Sequence, residues 1–64
     1  MMVMFLETGK LYLIVYVEGD KGIAKRGMKL ISIEKELYVF ENTQTGRLEY
    51  FPKDKIARME VEDG

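Results

Sequence analysis

From Leu37 to Val61 the chain carries a series of signals in an order that few folds accommodate. Apolar and aromatic residues run from Leu37 to Glu41, turn-forming types fill Asn42-Thr43-Gln44-Thr45-Gly46, and Arg47 to Phe51 resumes a strand pattern. Gly46 stands where a hairpin loop commonly needs a left-handed residue. Pro52 fixes its own φ and brings no N–H, so the ladder stops there, and Pro52-Lys53-Asp54-Lys55 reads as one turn of 3-10 helix. Ile56 then plugs the end of the fold, and Ala57, Met59 and Val61 form the inward face of a last short strand.

Nothing upstream supports a helix of ordinary length, because apolar residues come in runs or in alternation and are mostly β-branched or aromatic. Lys10 to Glu18 is the strongest strand. Leu11, Leu13, Val15 and Val17 share one face while Tyr12, Ile14 and Tyr16 share the other, so both faces are apolar. A small antiparallel sheet normally leaves one face wet, and Tyr12, Ile14 and Tyr16 therefore need a cover. Two covers fit: the run Met2 to Leu6 folding back through Thr8-Gly9 as an added strand, or a second subunit meeting Met4, Tyr12, Ile14 and Tyr16. After Glu18, Gly19 opens a long polar loop that closes at Gly27, the next strand runs Gly27 to Glu34, and Glu34-Lys35-Glu36 is a tight turn.

The chain of 64 residues is one domain, and a domain so small buries only roughly 60% of the surface its unfolded chain exposes. With no Cys and no His it has no disulfide, no structural zinc site and no imidazole for acid–base work. Dense packing and self-association are the remaining ways to stabilise it, and a 47% hydrophobic composition provides for both, so a homo-oligomer is expected. The apolar N-terminal run is far shorter than a membrane span or a signal-peptide core and has no basic region before it, which reads as a cytosolic protein. A charged fraction of 33%, mostly Lys and Glu, suits a heat-adapted source.

A strand, a long loop, two strands about a tight turn, a hairpin, a 3-10 turn and a closing strand follow one another across residues 10 to 61. This order resembles the SH3-like barrels and, among them, the Sm-like group, most sharply over Tyr50-Phe51-Pro52-Lys53-Asp54-Lys55-Ile56-Ala57-Arg58-Met59. The resemblance implies an all-β fold, a small antiparallel barrel of five or six strands with the 3-10 turn before the last. Sm-like proteins form rings and bind RNA through two loops. Glu34-Lys35-Glu36 stands here where that group carries an Asp near an Asn, and Lys53-Asp54-Lys55 where it carries Arg-Gly or Lys-His, so only the lysines match in charge.

Net charge is −1, which gives no domain-wide positive field, but Lys21, Lys25, Arg26 and Lys29 crowd one short stretch. The first functional expectation is a nucleic-acid-binding module in which these cations contact the phosphates of RNA or DNA, aided by Arg47 and Lys53. Tyr12, Tyr16, Tyr38 and Tyr50 offer rings on which bases stack, although tyrosines in strands more often pack across the sheet. The second is a protein-interaction or assembly module whose surface is Met4, Tyr12, Ile14 and Tyr16. Glu34, Glu36, Glu41 and Glu49 sit in polar turns or strand ends with no desolvating pocket, and Gly19-x-x-Gly22 lacks the Lys-Ser/Thr of a phosphate loop, so no enzyme, cofactor or metal is expected.

Overall fold

The computed structural model describes residues 6–62; Met4 lies outside them. Five strands follow in order, β1 (Leu11–Glu18), β2 (Lys21–Ile33), β3 (Leu37–Asn42), β4 (Arg47–Pro52) and β5 (Ile56–Val61), with one 3-10 turn at Lys53–Lys55 before β5. All pair antiparallel in a single sheet of order β4-β3-β2-β1-β5. The described residues include no α-helix, and hence none long and apolar enough to cross a membrane. Among the described residues β4 and β5 are the two edges and no ladder joins them, so the sheet is rolled but open and the expected barrel closure is not made.

The polar stretch after Gly19 is not a loop. Glu18 pairs with Lys21, leaving Gly19-Asp20 as a two-residue hairpin connection, and β2 runs straight through the basic residues. Gly19 has φ 66° while Asp20 stays at negative φ, which is the signature of a type II′ turn. Its right-handed twist matches the flanking strands, and that makes so short a connection between two long strands workable.

Three bulges shape the sheet. Tyr12 pairs with Met28 but Ile14 with Lys25, so β2 carries an extra residue, and Gly27 beside it has φ 68°. Leu30 pairs with Phe40 but Ser32 with Val39, which makes Ile31 the extra residue against β3. Val15 pairs with Arg58 but Tyr16 with Ile56, so Ala57 is extra on β5. Each bulge bends its strand and raises the local twist, and together they roll the sheet over its own core.

That core is Tyr12, Ile14, Met28, Leu30, Phe40, Phe51 and Met59, with Leu6, Tyr16, Tyr38 and Ile56 packed at its margin. The face assignment of β1 is therefore the reverse of a surface needing an outside cover: Tyr12 and Ile14 are 1% and 0% exposed, while Leu11, Leu13 and Val15 are half-buried on the convex side. The rolled sheet is itself the cover. Phe40 lies at its centre, edge-on to Tyr12 (6.4 Å), Tyr38 (6.3 Å) and Phe51 (5.9 Å), the geometry that aromatic quadrupoles favour. The Tyr12 hydroxyl accepts from the Glu7 N–H at 2.9 Å, so the polar end of this core residue has a partner. On β5 only Met59 is buried; Ala57 is exposed because the bulge there hands the inward position to Ile56, and Val61, opposite Tyr12, is exposed at the end of the strand.

Candidate functional site

The cations singled out in the sequence occupy different settings. Lys25 lies opposite Ile14 and so faces the concave side, where its Nζ donates to Glu49 Oε1 at 2.8 Å and lies 5.9 Å from the Tyr16 ring centroid. Glu49 Oε2 accepts from Asn42 Nδ2 at 3.1 Å. The hydrogen bond from Lys25 holds the Glu49 carboxyl below its usual range against the opposing effect of burial, and the same bond raises the Lys25 ammonium. Arg26 pairs with Glu62 at 3.2 Å, and the other oxygen of Glu62 accepts from the Gly27 N–H at 2.8 Å. Both central cations of the basic stretch thus fasten β2 to β4 and to the residue after β5.

Lys21, Lys29, Arg47 and Lys53 have no carboxylate within ion-pair distance among the described residues. Lys29 lies mid-strand opposite Glu41, Lys21 ends the first hairpin opposite Glu18, and Arg47 opens β4 opposite Asn42. Lys53 sits on the 3-10 turn with its ammonium 5.3 Å from the Tyr38 ring centroid. It borders an open cleft of about 530 Å³ with Lys35, Leu37 and Pro52, at the place where the Lys53 N–H donates to Glu36 O at 2.9 Å. The 34–36 turn and the 53–55 turn are therefore neighbours, and their lysines share the cleft with Glu36 and Asp54. Lys25 and Arg26 border a second cleft with Asn42 and Gln44.

Of the residues expected to form an interface, Tyr12 and Ile14 lie in the core, and Tyr16 is half-buried against the Phe51 ring at 4.9 Å. Tyr12 and Ile14, as members of the packed interior, offer a partner no surface in the folded chain, and Tyr16 offers only the part of its ring left open at the core margin. The Tyr16–Phe51 contact joins β1 to β4 across the rolled sheet, and the Lys25–Glu49 pair joins β2 to β4. Side chains thus bridge a seam that backbone does not.

Val17, Ile31, Ile33 and Val61 are exposed on β1, β2 and β5, but the two most exposed large apolar side chains lie on edge strand β4. Leu48 and Tyr50 are 51% and 61% exposed on the convex face. Their backbone, too, has no ladder partner on the outer side among the described residues. The Lys53 N–H points at Glu36, so by strict alternation residues 51, 49 and 47 direct their amides at β3, while Leu48 and Tyr50 direct N–H and C=O outward from the sheet. The β3–β4 ladder runs from Leu37 opposite Pro52 to Asn42 opposite Arg47 without a bulge, unlike each of the other three ladders. β5, the opposite edge, carries a bulge and the charged pair Arg58 and Glu60.

Comparison with known protein families, with curated proteins and with solved structures finds no significant match to this chain.

Proposed function

We propose that this protein is a non-catalytic interaction module that takes up an extended segment of a protein partner along β4. The observation that carries this reading is the edge itself: unbulged, with the peptide groups of Leu48 and Tyr50 directed outward and an exposed apolar side chain on each. Natural sheets protect such edges with charged side chains, bulges or prolines; β4 has no bulge and no lysine, its charges Arg47 and Glu49 lie on the concave face, and Pro52 stands at its far end. Strand addition uses both features together, main-chain hydrogen bonds for affinity and alternate side chains for selectivity. This is the protein-interaction reading of the sequence, moved from β1 to β4. The order of elements shared with SH3-like and Sm-like barrels suits a binding role, as an analogy of form.

The competing reading, phosphate contact with RNA or DNA, rests on Lys21, Lys29, Arg47 and Lys53. It is weakened by the engagement of Lys25 and Arg26 with carboxylates. Selection from a library of ten-residue peptides, followed by mapping of amide chemical shifts, tests the choice. Strand addition expects shifts concentrated in residues 47–52 and loss of binding in Tyr50→Lys. Peptides that leave those amides unmoved, together with an oligonucleotide that shifts Lys21, Lys29 and Lys53 and dissociates steeply with salt, would replace this proposal with the nucleic-acid one.

A further inference from the structure

Resting on the β4 reading, we infer that the segment β4 accepts is β4 of a second copy of this chain, paired antiparallel about a two-fold axis through Leu48. Register decides the pairing. An isologous pairing opposes residues whose numbers share a constant sum, and continuity of the faces requires that sum to be even, since a one-residue slip puts concave side chains against convex ones. The same condition brings outward-pointing peptide groups to outward-pointing ones, that is, Leu48 and Tyr50 to their counterparts.

Charge then selects among the few even registers. Centring the axis on Glu49 sets two carboxylates directly opposite each other, and centring it on Arg47 does the same with two guanidiniums; like charges so placed are destabilising. Centring on Tyr50 opposes Glu49 to Phe51 and leaves Arg47 beyond the paired segment. Centring on Leu48 opposes Arg47 to Glu49 of the second copy, twice, on the concave face. Arg47 is exposed and without a carboxylate partner among the described residues. Glu49 uses one oxygen for Lys25 and the other for Asn42, and a carboxylate has about four acceptor positions, so room remains for a guanidinium.

On the convex face the same register stacks Leu48 on Leu48 of the second copy and lays Tyr50 over its Gly46, where no side chain obstructs the ring. The two Leu48 residues exchange both backbone bonds. The Tyr50 N–H meets the Gly46 carbonyl, which suits a glycine whose own N–H is already given to Asn42 O at 2.7 Å. The product is a continuous sheet through both copies, held by a small contact of the transient class.

The chain contains no cysteine, so a single introduced thiol reports the register directly. In this arrangement Leu48→Cys brings two Cα atoms to about 5.5 Å across the two-fold, the spacing of a hydrogen-bonded pair, inside the Cα range a disulfide spans. Tyr50→Cys separates its thiols by several residues along the strands. The expected result, at millimolar protein under mild oxidation, is a covalent dimer from Leu48→Cys at least tenfold faster than from Tyr50→Cys, with both variants keeping the native amide spectrum. Sedimentation of the unmodified chain should show a concentration-dependent dimer, and Arg47→Glu, which opposes two carboxylates twice, should raise the midpoint concentration at least tenfold. Equal cross-linking rates in the two variants, or a monomer at every concentration, would overturn the two-fold. If selected peptides still shift the amides of residues 47–52 in that monomer, only the second copy is refuted and strand addition stands; if they do not, both fail.

Discussion

Gly27 lies where three parts of the fold meet, and replacing it with alanine gives a stability change that can be built from the structure. Its φ of 68° lies in the left-handed region, where a side chain costs about 1 kcal/mol. A Cβ there also falls 2.9 Å from Thr43 Oγ1. That hydroxyl cannot simply swing away, because threonine is stiff at χ1 and donates to Gly27 O at 2.7 Å, beside a second bond from the Thr43 N–H to the same oxygen at 3.0 Å. Displacing it forfeits a net hydrogen bond of about 1 kcal/mol. Gly27→Ala should therefore cost about 2 kcal/mol, a large share of the roughly 3–10 kcal/mol expected of a domain this size. Urea unfolding measures it as a fall in midpoint at constant m-value. A double-mutant cycle separates the two causes: with Thr43→Ala already present the obstruction is gone, and the glycine change should cost only about 1 kcal/mol, a coupling of about 1 kcal/mol. A single-mutant cost below about 0.5 kcal/mol, or additive costs in the double mutant, would refute the account of the bulge as a strained, hydroxyl-braced corner.

Two further outcomes follow from the core and the ion pair. Ile14→Lys, which would free an oligomer if β1 were an interface, should instead unfold the monomer, read as loss of amide dispersion at every protein concentration, because it places an ammonium in a site with 0% exposure. For the Lys25–Glu49 pair the sign follows from linkage: a depressed carboxyl contributes stability that is present above its unfolded pKa and is lost as pH falls through the lower, folded value. The stability gap between the wild type and Glu49→Gln, on the order of 1 kcal/mol or less for a partly exposed pair, should thus hold at neutral pH and shrink on acidification below the ordinary carboxylate range. On the alkaline side the raised Lys25 ammonium keeps its contribution until pH passes its folded pKa, above the ordinary lysine value. A gap that does not vary with pH would show that the ion pair contributes nothing.

The hairpin, Pro52 and the 3-10 turn were legible because each rests on a residue with unusual backbone freedom or restriction, Gly46 free to take positive φ and Pro52 fixed in φ, and those residues sit where the chain turns. β2 was not legible over Lys21–Gly27. Its charges suggest a loop, yet they are accommodated in a strand that exposes one side and ties Lys25 and Arg26 to acids far along the chain. Alternation in β1 shows a strand but not which face is inward, since both are apolar; volume decides, and Tyr12 and Ile14 fill the space around Phe40. Bulges erase phase altogether: Ile56 and Met59 both contact the core although three residues apart, and nothing in Ala57 announces the extra residue. The edge at β4 was hidden for a related reason. Arg47 to Phe51 reads as a strand without showing which face is inward, and Phe51, packed on Phe40, sets the phase that turns Leu48 and Tyr50 out.

The ladder between β1 and β5 differs from the others in what it asks of the chain. Every other pair joins strands consecutive in sequence and can form as a local hairpin, but Tyr12 must find Val61 across nearly the whole described length. Its loop-closure entropy is the largest in the fold, so its docking sets the folding rate and leaves a four-stranded meander as the natural precursor. By the same reasoning β5 is the first strand to leave. Its departure removes Met59 from the core, frees Glu62 from Arg26 and Gly27, and leaves β1 as a bare edge lined by Tyr12, Ile14 and Tyr16. A brief opening of β5 would thus display the most apolar strand of the protein as an unpaired edge, the kind of surface on which other chains pair.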